Sequence, residues 1–263
     1  MNILEVKNLN VAFDQYSKGL RRRRLDIIKN LSLDVREGEI MAIFGASGSG
    51  KSLLASAILG LLPYNGFSEG EILYKGQILD QSLLERVRGK EIFFIPQSIT
   101  SLNPLLRTRD QARMTLSRKD YIKQREVYDS FGLDEEVDYM YPRELSGGMA
   151  RRVLVSDAIL SGAEFIIADE PTPGMDKEAT DEIVGYFKKM KEAGKTLLLI
   201  SHDINMALSC ADRIGIFYDG QIIEVGDRSA FANKGEGLTN PYSKRLIRAL
   251  PENGMNLDRI END

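Results

Sequence analysis

The sequence predicts an α/β fold built on a buried parallel sheet, and three observations lead there. Two continuous apolar runs, Phe165-Ile166-Ile167-Ala168 and Leu197-Leu198-Leu199-Ile200, have the non-alternating pattern of strands covered on both faces. A helix-period segment, Lys177 to Glu192, lies between them, as a crossover between parallel strands requires. Earlier in the chain a short apolar strand, Glu39 to Phe44, gives way through a glycine-rich turn to an apolar helix, Leu53 to Leu62.

That turn, Gly45-Ala46-Ser47-Gly48-Ser49-Gly50-Lys51-Ser52, fits the phosphate-binding pattern of two glycines around four residues followed by Lys and Ser, in the strand-to-helix setting the motif demands. The glycines let the backbone curl so that successive N–H groups and the helix N-terminus point at phosphates. The Lys51 ammonium is suited to neutralising the outer phosphates, and the Ser52 hydroxyl can ligate Mg²⁺.

The other elements follow in chain order. The first ninety or so residues alternate short β-like runs, Leu4 to Val6, Leu31 to Val35, Ile40 to Phe44 and Glu71 to Tyr74, with turn signals at Glu37-Gly38 and Lys75-Gly76. From about Ser98 to Leu160 charged, helix-period sequence takes over, at Lys119 to Phe131 and again at Met149 to Leu160, which reads as an inserted helical subdomain. The parallel sheet resumes at Phe165. A final segment from about Gly226 to Asp263 is polar and helical in places.

Bulk properties narrow the class. At 263 residues the chain can bury a proper core, and 43% hydrophobic with 28% charged residues is ordinary for a water-soluble domain. No apolar run approaches the ~20 residues of a membrane helix, and Met1-Asn2-Ile3-Leu4-Glu5 lacks a signal-peptide layout, so a cytoplasmic location is expected. One cysteine, Cys210, allows no internal disulfide, and a net charge of −4 argues against a nucleic-acid partner.

A phosphate loop is shared by GTPases, small-molecule kinases and many ATPases, and further motifs separate them. The run to Asp169-Glu170 is an apolar strand ending in two carboxylates, the first able to organise Mg²⁺ through water and the second to accept a proton from an attacking water. Leu145-Ser146-Gly147-Gly148-Met149 opens a helix and offers a hydroxyl and free N–H groups to an anion, yet within the helical insert. The single histidine, His202, closes the Leu197 to Ile200 strand, and Gln97 closes the Ile92 to Ile95 strand. A guanine-reading Asn-Lys-x-Asp segment fails at its last position in Asn233-Lys234-Gly235-Glu236.

In this order, the Gly45 loop, Gln97, Ser146-Gly147-Gly148, Asp169-Glu170 and His202 resemble the nucleotide-binding subunit of ATP-binding cassette (ABC) transporters over nearly the whole chain. The resemblance implies a P-loop NTPase (RecA-like) core with an antiparallel β subdomain, residues 1–97 and 161–230, an inserted α-helical subdomain, 98–160, and a C-terminal extension, 231–263. It also implies a head-to-tail pair of cassettes, the partner being an identical or a homologous chain, with two ATP molecules sandwiched between them. Carried over, Lys51 binds the β/γ-phosphates, Ser52, Gln97 and Asp169 hold Mg²⁺ directly or through water, Glu170 is the general base and His202 contacts the γ-phosphate. Ser146, Gly147 and Gly148 complete the partner's site. The adenine stacks on an aromatic upstream of the loop, Phe13, with Tyr16 as runner-up.

Two departures stand out. Met149 occupies a position where the family usually has Gln, and Pro173-Gly174-Met175-Asp176 replaces the usual Ser/Thr-Ala-Leu-Asp loop, keeping its Asp. These put turnover rate in doubt more than ATP binding. Pro96-Gln97-Ser98 with Ser101-Leu102-Asn103-Pro104, and Asn240-Pro241-Tyr242-Ser243-Lys244-Arg245-Leu246 with Leu250-Pro251, look like the dipeptide/oligopeptide/nickel import branch. That branch implies separate membrane permease subunits, a substrate-binding protein acting through the complex, and a place on the cytoplasmic face of the membrane. The alternatives are a soluble ABC-type ATPase uncoupled from transport and a non-hydrolysing regulatory cassette. The Arg21-Arg22-Arg23-Arg24 run reads as a solvated loop, with membrane headgroups or a partner subunit as the sharper alternative.

Overall fold

The computed structural model describes residues 1–17 and 21–250. Along the chain, β1 (Asn2–Ser17) and β2 (Arg21–Arg36) precede β3 (Ile40–Phe44), α1 (Lys51–Ile58), β4 (Gly66–Tyr74), β5 (Gln77–Ile78), α2 (Gln81–Val87) and β6 (Ile92–Ile95). Then come α3 (Thr108–Ala112), α4 (Tyr121–Ser130) and α5 (Gly147–Leu160), joined by short 3₁₀ turns. The chain continues through β7 (Phe165–Asp169), α6 (Lys177–Glu192), β8 (Thr196–Ser201), α7 (Ile204–Cys210), β9 (Arg213–Tyr218), β10 (Gln221–Asp227), a short segment α8 (Ala232–Gly235) broken by left-handed Asn233 and Lys234, and α9 (Pro241–Arg248).

These strands form two sheets. The larger runs β10-β9-β3-β8-β7-β6, with β9 to β6 mutually parallel and β10 antiparallel at one edge. Every residue of β3, β7 and β8 is buried. Alternate residues go to opposite faces, as a pleat demands: Ile40, Ala42 and Phe44 join a core shared with α5, α6 and α7. Met41 and Ile43 face α1, α2 and the second sheet. That second sheet is antiparallel, β2-β1-β4-β5, and its inner face, Leu4, Val6, Val11, Leu31 and Val35, closes the second core.

Boundaries differ from expectation where local chemistry intervenes. The first helix starts at Lys51 and stops at Ile58 instead of running from Leu53 to Leu62, because Gly60 takes a left-handed φ of 62°. The helix expected over Lys119 to Phe131 narrows to α4, while α5 begins two residues before Met149 because Ser146 caps it, its Oγ accepting from Met149 N at 3.2 Å. The helix expected over Lys177 to Glu192 is found with those bounds, capped by Asp176.

The β9-β10 turn is where the two sheets meet. Lys29 N donates to Gly220 O at 2.9 Å, Lys29 pairs with Asp219, and a Cβ on Gly220 would lie 2.2 Å from Ile27 O. Arg213 adds an ion pair to Asp34 of β2 at 3.0 Å and one to Glu39 at 3.1 Å. Midway along β10, Glu224 accepts from Asn240 N at 3.2 Å and from Thr239 Oγ1 at 2.9 Å, pinning the start of α9, while Tyr242 packs on Tyr218 at the end of β9 with ring centroids 4.0 Å apart.

Candidate functional site

The phosphate loop leaves the C-terminal end of β3 as it would in any open α/β sheet that binds ligands at strand ends. Its shape is set by contacts around it. A Cβ on Gly45 would lie 2.5 Å from Phe217 O of β9, and one on Gly50 2.6 Å from Ile27 Cγ2. Gly48 and Gly50 also hold φ of 74° and 104°, which disfavour side chains. Ala46, Ser47 and Gly48 face solvent at the crest.

Lys51 opens α1 and is buried, its Nζ donating to Gly45 O at 2.9 Å and Ala46 O at 2.8 Å and lying 3.8 Å from Glu170 Oε1. Burial pulls its pKa down, with Glu170 and Asp169 opposing. Ser52 Oγ donates to Asp169 Oδ1 at 3.0 Å, across from β7. Burial pushes the Asp169 carboxyl up, and the Ser52 hydrogen bond offsets part of that. The Ser49 hydroxyl is buried without a hydrogen-bond partner. An orphaned hydroxyl, an ammonium satisfied by its own loop and a Ser/Asp oxygen pair together fit a nucleotide phosphate with a hard divalent cation.

Glu170 follows β7 with a left-handed φ of 45°, its N–H donating to Ile200 O at 2.8 Å. This turn swings the carboxylate toward the end of β8, where its Oε2 lies 2.7 Å from His202 Nδ1. The same oxygen takes His202 N–H at 3.4 Å and the Ser201 hydroxyl at 3.5 Å. The His202 ring is half exposed, whereas Ser201 is buried. A cavity of about 390 Å³ opens here, lined by Glu170, His202, Pro173, Met175, Asn205 and Leu250.

Thus the structure brings Lys51, Ser52, Asp169, Glu170 and His202 into one cluster. Gln97 and the Ser146-Gly147-Gly148 turn are grouped separately. Gln97 is exposed beyond β6 and lines a second cavity, of about 470 Å³, with Gly147, Gly148, Arg151 and Asp176. Its position is fixed through its backbone: Arg151 donates to Pro96 O at 2.9 Å and Gln97 O at 2.6 Å. Phe13 is half-buried on the core face that includes Leu53 of α1, and its ring limits Gly66, where a Cβ would meet Phe13 Cε1 at 2.9 Å. The Tyr16 side chain and residues 18–20 lie outside the described residues, as do the side chains of Arg21 and Arg22 and residues 251–263 of the expected C-terminal extension. Arg23 and Arg24 are exposed, and Arg24 pairs with Asp26 and Glu69. Sequence reading passed over Arg151 and Ser201. Arg151 had no motif to announce it, while Ser201 stood beside the single histidine.

Fold and site together define a P-loop nucleotide hydrolase, with loop, paired carboxylates and strand-end histidine in one cluster. The chain belongs to the ABC transporter family, as an ABC-type ATPase: the family model for the ABC transporter matches residues 28–173. It is 33% identical to the dipeptide transport ATP-binding protein DppD of Lactococcus lactis subsp. cremoris, over 98% of this chain and 76% of that protein. It is 34% identical to the oligopeptide transport ATP-binding protein OppD of Bacillus subtilis, over 95% of this chain and 72% of that protein. Among solved structures it is similar to the ATP-binding cassette MJ0796, a dimer in a post-hydrolysis state bound to ADP and Pi, with TM-score 0.73 and 29% identity over 86% of this chain and 98% of that one. Among the described residues no helix is long and apolar enough to cross a membrane.

Proposed function

We propose that this chain hydrolyses ATP as one of two cassettes that drive uptake of short peptides through separate membrane subunits, working at the cytoplasmic face of the membrane. The observation that carries the chemistry is the Glu170 carboxylate, held between His202 Nδ1 at 2.7 Å and the Lys51 ammonium at 3.8 Å. On ATP binding Lys51 exchanges its own loop carbonyls for the β- and γ-phosphates, and the Ala46 to Gly50 backbone and the α1 N-terminus cradle them. Ser52 and Asp169 would hold Mg²⁺, which when bound neutralises charge on the phosphates, and Gln97, which lines the neighbouring cavity, would have to move to join them. Glu170 accepts the proton of the attacking water, His202 contacts the γ-phosphate and Phe13 stacks on the adenine. Ser146, Gly147 and Gly148 complete the site of the partner cassette.

The decisive variant is Glu170→Gln. It keeps ATP affinity while lowering kcat by the ~10²–10⁴ of a lost general base, and it accumulates an ATP-bound dimer. Hydrolysis at the wild-type rate would remove Glu170 from that role.

Peptide as cargo is supported by the likeness to dipeptide and oligopeptide transport ATP-binding proteins and by the Ser101-Leu102-Asn103-Pro104 and Asn240-Pro241-Tyr242 stretches. A peptide-loaded binding protein therefore stimulates ATPase activity in the complete complex and leaves the isolated chain unchanged, since a ligand shifts an equilibrium through differential affinity for its states. A nickel chelate carrier is the second arm of that assay. Stimulation by a sugar or phosphate carrier, with none from peptide or nickel carriers, would overturn the cargo class and leave the ATPase chemistry standing.

A further inference from the structure

We infer that Ser201 is a positioning residue for the Glu170 carboxylate, holding Oε2 so that Oε1 is the atom presented to the attacking water. The inference rests on Glu170 being the base. Ser201 is buried at the end of β8, and its Oγ accepts the Asp203 N–H at 2.9 Å. A hydroxyl has a single proton, so with its acceptor side engaged Ser201 turns that proton to Glu170 Oε2, 3.5 Å away in a buried contact.

The two oxygens of Glu170 therefore have different surroundings. Oε2 meets the Ser201 hydroxyl, His202 N–H and His202 Nδ1, three groups on consecutive positions of one strand end. Oε1 faces Lys51 and the phosphate loop. The backbone of Glu170 is tied to the same strand through Ile200 O. Residues 200, 201 and 202 thus grip one glutamate at its main chain and at one oxygen.

Among these holders the His202 imidazole is half exposed and sits on a cavity, so it can turn toward a phosphate. Ser201 cannot follow, because it is enclosed and its Oγ is fixed by Asp203 N. When His202 engages substrate, the Ser201 hydroxyl and the His202 N–H remain to keep the carboxylate from rotating. A freely rotating carboxylate would spend less time in the orientation that accepts the proton, which lowers kcat without weakening nucleotide binding.

The test measures ATPase kinetics and ATP affinity for the full chain carrying Ser201→Ala or Ser201→Thr, each also in the Glu170→Gln background. Ser201→Ala is expected to lower kcat about tenfold, the scale of one hydrogen bond to a charged group, with KM for ATP unchanged. Ser201→Thr keeps the hydroxyl and restores kcat to within about threefold. In the Glu170→Gln background Ser201→Ala changes the residual rate by less than about twofold, because the group it acts through is already gone. A wild-type kcat in Ser201→Ala, beside an inactive Glu170→Gln, overturns this inference alone. A further tenfold loss in the Glu170→Gln background would assign Ser201 a structural role and overturn it too. Wild-type hydrolysis by Glu170→Gln would instead remove the reading of Glu170 on which it rests.

Discussion

Two glycine-bearing helix starts in this chain, the phosphate loop before α1 and the Ser146-Gly147-Gly148 turn at α5, look alike in sequence and differ in what surrounds them. At the first, side chains are excluded by the chain itself: Phe217 O stands 2.5 Å from the Cβ that Gly45 lacks, and Ile27 lies as close to Gly50. At the second, a Cβ on Gly147 or Gly148 would meet nothing within 4 Å, and all three residues of the turn are exposed. Gly45 and Gly50 satisfy internal packing. The second turn leaves open space that this chain does not use, as expected of half a site whose other half is another molecule.

The sharpest way to break that comparison is Ser146→Arg. It is expected to abolish turnover in the assembled pair while leaving ATP binding by the isolated chain intact, measured by nucleotide titration beside an activity assay. Equal loss of binding by the isolated chain would place Ser146 in the same site as Lys51.

Next in size is Gly45→Ala. Its Cβ cannot be accommodated without moving β9 backbone, so a loss of about 1–3 kcal/mol in denaturant unfolding is expected, with nucleotide affinity falling alongside. Gly148→Ala has the opposite sign. In an open helical position alanine stabilises by about 0.5–1 kcal/mol, so the isolated chain unfolds later while turnover of the pair drops. Two glycine-to-alanine changes that move stability in opposite directions would separate internal fit from reserved space.

A further prediction concerns how α5 is anchored behind its exposed start. Asp157 is hydrogen-bonded by Tyr128 Oη at 3.4 Å, and burial pushes its carboxyl up to about 8. The folded chain then holds this proton where the unfolded chain releases it, so stability from this group falls as pH rises from about 4 to about 8. Asp157→Asn should flatten that part of the stability profile, measured by denaturant midpoints across the window. An unchanged slope would mean that the carboxyl is not desolvated.

The chemistry was legible in the sequence and much of its support was not. The loop, Asp169-Glu170 and His202 are local patterns at the ends of apolar runs, and the Lys177 to Glu192 helix carries its own period and its own Asp176 cap. By contrast β1 and β2 span sixteen residues each where only short runs could be read, because register shifts after Asn2, Val6, Leu9 and Val11 interrupt the alternation. β9 and β10 were passed over although Ile214 to Tyr218, Asp219-Gly220 and Ile222-Ile223 carry the signal of a hairpin. The left-handed turn at Glu170 and the Arg151 hold on Pro96 and Gln97 arise from pairing across 30 and about 55 positions, which no window of sequence can see.

Around the turn joining β9 to β10, three close approaches that link the β2 strand, β9 and the phosphate loop are made by the absence of a side chain. Gly220 against Ile27 O, Gly50 against Ile27 Cγ2 and Gly45 against Phe217 O are near-contacts with no slack. Repulsion between filled volumes has almost no dependence on salt, pH or temperature, unlike the exposed Lys29–Asp219 pair beside it. The angle between the sheets is thus set as in a keyed mechanical joint. Changing the solvent can loosen the rim of this joint, but its geometry stays fixed for as long as the glycines remain.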